Sequence, residues 1–323
     1  MKKRVILISI TICFLCFLTG CQKAVSPSST SGFFFDTFVV TTVYDECSAE
    51  TLNGIQELCS YYESLFSPTV EGSDIWNINH AGGSPVSVSE ETAALLTKGL
   101  YYSELTDGIF DITIHPVSSL WNFHESGSVP DANIISDALS HVCYKNLHVE
   151  NNIVTLTDPL ASVDVGALAK GYIADKIKSY LREQGISSAL INLGGNICLL
   201  GSKPDGTPFV LGIEKPFSDG EVLQSLRVSN TNLVTSGVYE RYFYEDDILQ
   251  HHLLDGRTGY PLQNHLYSVS ILGPDGLECD LLSTVCFLLG EEKGRMLLEQ
   301  IDGYEGCFIN DAYQLSFTSG FPE

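Results

Sequence analysis

The chain is short of positive charge: 17 Lys and Arg stand against 40 Asp and Glu, for a formal net charge of −23. A field of that sign repels phosphate backbones and anionic lipid headgroups, which argues against a nucleic-acid role. It equally repels a phosphorylated small molecule unless Lys, Arg or a divalent cation offsets it locally. Fixed-period repeats are missing, which excludes solenoid and propeller architectures. There is one long hydrophobic run, Val5 to Phe17, and it is too short to span a membrane. Cysteine is not scarce, yet beyond the first twenty residues no C-x-x-C pair occurs, so a zinc cluster is not indicated. Cys47, Cys59, Cys143, Cys198, Cys279, Cys286 and Cys307 are odd in number, scattered and set mostly among apolar neighbours. That is the pattern of buried free thiols, not of a disulfide framework.

What is present at the start is a leader. Lys2, Lys3 and Arg4 precede the apolar run, which ends in Leu18-Thr19-Gly20-Cys21. This resembles a bacterial lipoprotein signal, which implies cleavage after residue 20, lipidation of Cys21 and a location outside the cytoplasm, anchored to the cell membrane. Losing three positive charges would take the chain from −23 to −26. Residues 21–32, rich in Ser, Pro and Thr, read as a flexible tether. About 300 residues follow, enough for one large core, and 33–323 is expected to form a single catalytic domain.

Hydrophobic spacing predicts a strand from Phe33 to Tyr44, a helix from Thr51 to Phe66 and a polar loop from Ser67 to Ser84. A helix from Glu90 to Leu105, a strand from Ile109 to Ile114, and a short helix between Pro130 and His141 follow. Asn151-Asn152 reads as a hairpin turn. The second half reads mostly as strands, among them Tyr239 to Tyr244 and Ile248 to Leu254, before helices from Asp280 and Glu291 and a closing strand pair. Helices interleaved with largely antiparallel sheet make an α+β fold.

Three stretches carry chemistry. In V-D-V-G-A-L-A-K-G-Y (Val163 to Tyr172) an acid meets a small-residue elbow and then a helix start with Lys170. Uncovered peptide groups and a positive helix end suit an anionic, phosphorylated ligand, and Asp164 can hold a polar group or cation. In D-L-L-S-T, Asp280 and Thr284 lie four apart, so a helix puts two hard oxygen donors on one face, suiting Mg2+; alternatively Asp280 is a helix N-cap. In T-S-G-V-Y-E-R-Y-F-Y-E-D-D-I-L-Q-H-H-L-L-D-G-R-T-G-Y-P (Thr235 to Pro261), Ser236-Gly237 opens a strand, and His251 and His252 point to opposite faces, so a joint metal site is not expected.

Together with S-D-I-W-N-I-N (Ser73 to Asn79), T-D-G-I-F-D-I-T-I-H-P (Thr106 to Pro116) and I-N-L-G-G-N-I (Ile191 to Ile197), these stretches resemble, in order, the motifs of the ApbE family of flavin transferases. The resemblance spans nearly all of the chain after the leader. It implies a tunnelling-fold-like α+β unit that binds FAD as substrate, with Mg2+ at the pyrophosphate, and moves FMN onto a threonine hydroxyl of a separate acceptor protein with release of AMP. Carried over position by position, the metal ligands would be the carbonyl of Ala167 with Asp280 and Thr284, Ser283 assisting. Ile109, Phe110, Asp111, Asp164, Lys170 and Leu254 would contact FAD, and Asn77 or Asn79 would face the cleft. His252, Asp255 and a carboxylate near the metal are candidates for the general base, with Lys170 offsetting phosphate charge. The same residues serve FAD hydrolysis to FMN and AMP, whereas a non-catalytic flavin-binding lipoprotein would have no need of a metal at the scissile bond. Three positions depart from the family pattern: Phe35-Asp36-Thr37 near the first strand, Thr69 in the loop before Ser73, and Gly256 where the family usually has proline.

Overall fold

The computed structural model describes residues 26–123 and 127–322. The leader and Cys21 lie outside them. An eight-stranded sheet with neighbouring strands antiparallel forms the centre, in the order β1-β2-β6-β7-β10-β13-β14-β15. Its strands are β1 (Ser28–Phe34), β2 (Thr37–Val43), β6 (Ala189–Leu193), β7 (Asn196–Leu200), β10 (Asn232–Gly237), β13 (Leu266–Gly273), β14 (Glu305–Asn310) and β15 (Leu315–Phe317). Helices α1 (Ala49–Phe66), α6 (Ala169–Glu183) and α7 (Gly276–Leu289) cover one face, α7 lying across β10 and β13. On the other face the hairpin β8 (Phe209–Glu214) and β9 (Val222–Val228) encloses a second apolar layer with Leu199, Leu233 and Ile309. Around this core sit α2 (Asp74–His80), α3 (Glu90–Leu105), α4 (His115–Ser118), α5 (Ala132–Leu139), α8 (Glu291–Leu298), a small sheet of β3 (Val86–Ser87), β4 (Leu147–Glu150) and β5 (Ile153–Leu156), and the separate hairpin β11 (Tyr242–Glu245) and β12 (Ile248–His251).

Several expectations change. The strand expected from Phe33 to Tyr44 is a hairpin: Phe35 and Asp36 both take positive φ and turn the chain back on itself. Ser28–Gly32, expected to be tether, pairs residue by residue with Val39–Val43, so the folded unit begins before residue 33. The polar loop after Ser67 contains α2, because the Ser73 hydroxyl accepts the Trp76 N–H at 3.0 Å and Ile75 and Ile78 bury on one side. Ile109 to Ile114 is not a strand. The Asp111 carboxylate accepts the N–H and hydroxyl of Thr113 (2.8 and 2.7 Å), a local turn that leaves one bridge, Ile114 to Ser162. Ser236-Gly237 ends β10 rather than opening a strand, and β13, unread in the sequence, is the strand beside it. The helices at 90–105 and 169–183 and the turn at Asn151-Asn152 stand as read, both asparagines taking positive φ. All seven cysteines among the described residues are free, and five are buried.

His251 couples the fold to pH. It is buried against the edge of Phe287, and its Nδ1 accepts the Leu253 N–H at 3.3 Å. Burial pushes its pKa from 6.5 down to about 4. As pH falls below 6.5 the unfolded chain takes up the proton first, so this group removes stability between pH 6.5 and about 4. Thermal midpoints of wild type and His251→Asn across that window test this: the variant is expected to show the flatter acid limb, and parallel curves would refute it.

Candidate active site

The site grows from the crossing of α6 and α7. No side chain of its own segment caps α6. Instead the Gly171 N–H donates to Asp280 Oδ2 at 2.9 Å, so a carboxylate of α7 satisfies an amide at the start of α6. Bare backbone makes this approach possible: a Cβ on Gly171 would sit 2.1 Å from the Gly276 carbonyl oxygen. Asp280 Oδ1 accepts the Asn196 Nδ2–H at 2.9 Å from the head of β7, and Lys170 Nζ lies 4.0 Å away. Lys170 Nζ also donates to the Gly166 carbonyl at 3.2 Å. Asp280 is therefore not the N-cap of its helix. Asp275 is, and Asp280 belongs to the second turn, reaching out to α6.

Hydroxyls complete this wall. Ser283 Oγ donates to the Asp280 carbonyl at 2.8 Å, and Ser236 Oγ lies 2.7 Å from Ser283 Oγ and 3.0 Å from Thr284 Oγ1. Because the Gly171 amide turns to Asp280, the Ala167 carbonyl one turn back has no hydrogen-bond partner among the described residues. A free carbonyl, a buried carboxylate with lone pairs to spare, and neighbouring hydroxyls are the hard oxygen donors that Mg2+ takes, and the residues present fit that ion. No three His, Cys, Asp or Glu side chains converge among the described residues, so such an ion would draw its remaining ligands from water or phosphate. Asn196→Ala removes one of the two bonds orienting Asp280. A 10–100-fold fall in metal affinity or activity is expected, read from the Mg2+ dependence of AMP release.

Of the facing wall, the sequence reading named His252 and missed Glu240 and Arg241. Glu240, Arg241 and His252 sit at the root of the β11–β12 hairpin, within electrostatic reach of Lys170. Glu240 is open to solvent on one side but ringed by protein on the others. Desolvation, with the Asp280 charge adding to it against Lys170 and Arg241, pushes its carboxyl up to about 7. Burial, with the charge of Arg241, pushes His252 down to about 3, so its imidazole is neutral at neutral pH. Its Nδ1 is buried without a partner among the described residues. The sequence signal was the adjacent Glu240-Arg241 pair inside an otherwise aromatic run.

The remaining candidates separate. Asp164 borders the site, accepting the Ser118 hydroxyl at 3.0 Å and the Gly166 N–H at 2.8 Å. Of the two asparagines, Asn79 holds this segment, bonding both the N–H (2.7 Å) and the carbonyl (3.0 Å) of Val163. Asn77, on α2, donates to the Gly72 carbonyl just before its own helix at 3.1 Å and does not reach it. The Asp111 carboxylate is spent on Thr113 and on the Tyr144 N–H (2.9 Å), and burial raises its pKa. Phe110 and Leu254 are buried in apolar clusters, whereas Ile109 is half-buried and its carbonyl accepts the Gly256 N–H at 2.9 Å. Proline could not make that last bond, and a Cβ at 256 would sit 2.5 Å from the Gly108 carbonyl oxygen, which together account for glycine there. Asp255 is a structural group rather than a free base: both its oxygens are held by the Arg257 guanidinium (3.1 and 2.8 Å).

Comparison with known proteins gives a uniform answer. Residues 35–308 match the model of the ApbE family. An FAD:protein FMN transferase of Klebsiella pneumoniae is 39% identical over 258 residues, covering 78% of this chain and 80% of that protein. One from Treponema pallidum is 31% identical over 326 residues, covering 94% and 90%. Among solved structures, the ApbE protein of Thermotoga maritima superposes with a TM-score of 0.82 at 28% identity, covering 91% of this chain and 97% of that one. The flavin transferase ApbE of Vibrio cholerae superposes with a TM-score of 0.82 at 25% identity, covering 92% and 98%. With its motifs in order on a matching fold, this chain belongs to the ApbE family.

Proposed function

We propose that this protein transfers FMN from FAD to a threonine hydroxyl of a separate acceptor protein and releases AMP. The observation that carries the reading is the crossing of α6 and α7, where Asp280, the unpaired Ala167 carbonyl, Thr284 and Lys170 converge in an otherwise acidic protein. Mg2+ held by Ala167, Asp280 and Thr284, with Ser283 assisting, would neutralise charge on the pyrophosphate and act as a Lewis acid there. Lys170 adds a fixed positive charge against the same phosphates, and Asp164 with Ile109 borders the flavin nucleotide.

In the transfer, the acceptor oxygen forms a bond to the FMN phosphorus while the anhydride bond to AMP breaks, an in-line displacement governed by positioning and charge. The hydroxyl proton needs an acceptor. Two groups are candidates: Glu240, whose carboxyl is pushed up to about 7, and His252, a neutral imidazole whose basicity burial lowers until the substrate's charge is beside it. Asp255 orders the loop beside them through Arg257. Lipidation of Cys21 would keep the enzyme on the outer face of the membrane, where a membrane-bound acceptor is within reach. Among the described residues no helix is long and apolar enough to cross a membrane.

The test is direct. The full chain, purified in detergent, is incubated with FAD, Mg2+ and a flavin-bearing acceptor domain, and an FMN mass adduct on the acceptor and free AMP are measured. Both products are expected. AMP without adduct identifies a hydrolase, and neither product leaves a flavin-binding protein.

A further inference from the structure

The α6–α7 crossing has two rungs. One is the bond from Gly171 N–H to Asp280 already described. The other runs the opposite way: Asp175 Oδ2, one turn further along α6, accepts the N–H groups of Gly276 (2.6 Å) and Leu277 (3.1 Å), the first two residues of α7. Each helix therefore lends a carboxylate to the N-terminal amides of the other. The pairs 171 with 280 and 175 with 276 run antiparallel. Between the rungs the backbones touch: a Cβ on Gly276 would lie 2.7 Å from the Gly171 carbonyl oxygen.

The second rung completes the accounting at the start of α7. Asp175 takes the amides of Gly276 and Leu277, and Asp275 takes those of Glu278 (2.8 Å, through its side chain) and Cys279 (3.1 Å, through its carbonyl). Three amides that a helix leaves unpaired at its start are thus satisfied, two of them from another helix, and the Cys279 bond begins the helix's own ladder. On the far side Glu278 is held by Lys98 at 2.5 Å and by the Tyr102 hydroxyl, both from α3. The first turn of α7 is thus clamped between α3 and α6, and Asp280 is one turn further in.

We infer that Asp175 is a positioning residue for the active site: by fixing the register of α7 on α6 it sets the spacing between Ala167 and Lys170 at the start of α6 and Asp280 and Thr284 on α7. It touches none of the reacting groups. A site whose donors are shared between two helices is sensitive to their relative slide, and side chains that orient metal ligands typically change metal affinity 10–100-fold when removed. The inference rests on the Mg2+ reading given above for its functional consequence, but its structural content does not depend on it.

The experiment compares Asp175→Ala and Asp175→Asn with wild type in the full chain. Three quantities are read: the Mg2+ concentration for half-maximal AMP release, Mg2+ binding by calorimetry with FAD present, and hydrogen exchange at the Gly171 amide. In Asp175→Ala the half-saturating Mg2+ is expected to rise at least tenfold, and the Gly171 amide to exchange at least tenfold faster, while the Val269 and Ile271 amides of β13 keep wild-type protection. Asp175→Asn retains an acceptor oxygen and is expected to restore both quantities to within about threefold of wild type. If Asp175→Ala does not fold, Asp175→Ser serves, its hydroxyl being too short to span the gap. Unchanged Mg2+ dependence and Gly171 exchange in a deletion variant whose melting point has fallen would overturn the inference, leaving Asp175 a structural group only. So would an asparagine variant as impaired as the alanine. A wild-type protein indifferent to Mg2+ would sink the cation reading alone, and Gly171 exchange then decides the role of Asp175 by itself.

Discussion

Asp280→Asn is expected to lower AMP release by about three orders of magnitude while the protein stays folded. The magnitude follows from electrostatic preorganisation, where loss of one well-placed group at the developing charge typically costs 10²–10³ or more. Asparagine is the informative substitution because Asp280 is also structural, taking the Gly171 amide and the Asn196 side chain. Alanine would leave both donors buried and unpaired, at about 1–3 kcal/mol each, and would mix instability with lost chemistry. An asparagine oxygen can still accept from Gly171, but it carries no charge to hold a cation. Calorimetry should show Mg2+ binding lost together with turnover. A folded Asp280→Asn protein that releases AMP at a tenth of the wild-type rate or better, with Mg2+ present, would remove Asp280 from the metal site.

Gly171→Ala is the second large effect, and it acts without touching any charge. The added Cβ would meet the Gly276 carbonyl at 2.1 Å and its carbon at 2.6 Å, with Asp280 Cβ at 2.8 Å. These are mostly backbone atoms, and no rotamer change relieves them. The helices must separate, and overpacking of this kind costs about 1–3 kcal/mol. The expected result is a thermal midpoint several degrees lower and, below that midpoint, AMP release reduced by about two orders of magnitude as both rungs of the crossing lengthen. Wild-type activity at wild-type stability would show that the crossing tolerates the extra volume and that the register argument is wrong.

The parts of the fold that could be read in advance were those in which a local rule acts alone. The helices at 90–105 and 169–183 show clear period, and Ser89 caps the first of them through the Thr92 amide at 3.1 Å. The Asn151-Asn152 turn follows from residues that tolerate positive φ. Errors arose where distant partners override local preference. β1 looked like tether because Ser and Thr dominate it, and only its pairing with β2 makes it a strand. Ile109 to Ile114 alternates like a strand, but Asp111 binds Thr113 and Tyr144, thirty-three residues on, and folds the segment against the body. β13 went unread although it joins β10 to β14 in the interior of the sheet.

At the site the same division holds. The motif residues themselves, with Asp280, Thr284, Lys170 and Ala167 among them, could be nominated from residue type and order along the chain, and the fold brings them to one crossing. Their jobs were not all legible. Asp255 offers a carboxylate in sequence, yet Arg257 two residues later consumes it. Asn77 and Asn79 are indistinguishable as letters, but only Asn79 lies where Val163 passes. Glu240 is an unremarked acid until packing desolvates its carboxyl and, with the Asp280 charge, pushes its pKa up to about 7 against the pull of Lys170.

Order, charge and motif spacing were thus sufficient to assign the family and to nominate the chemistry, because those properties are local or additive along the chain. The pairing of Asp280 with Gly171, of Asp175 with Gly276, and of Asn196 with Asp280 joins residues about a hundred positions apart, and their partners could have been any of dozens of similar groups. Only the folded chain chooses among them. A hydrogen bond requires its atoms within about 3 Å, and nothing short of the packed crossing of two helices fixes a distance that small.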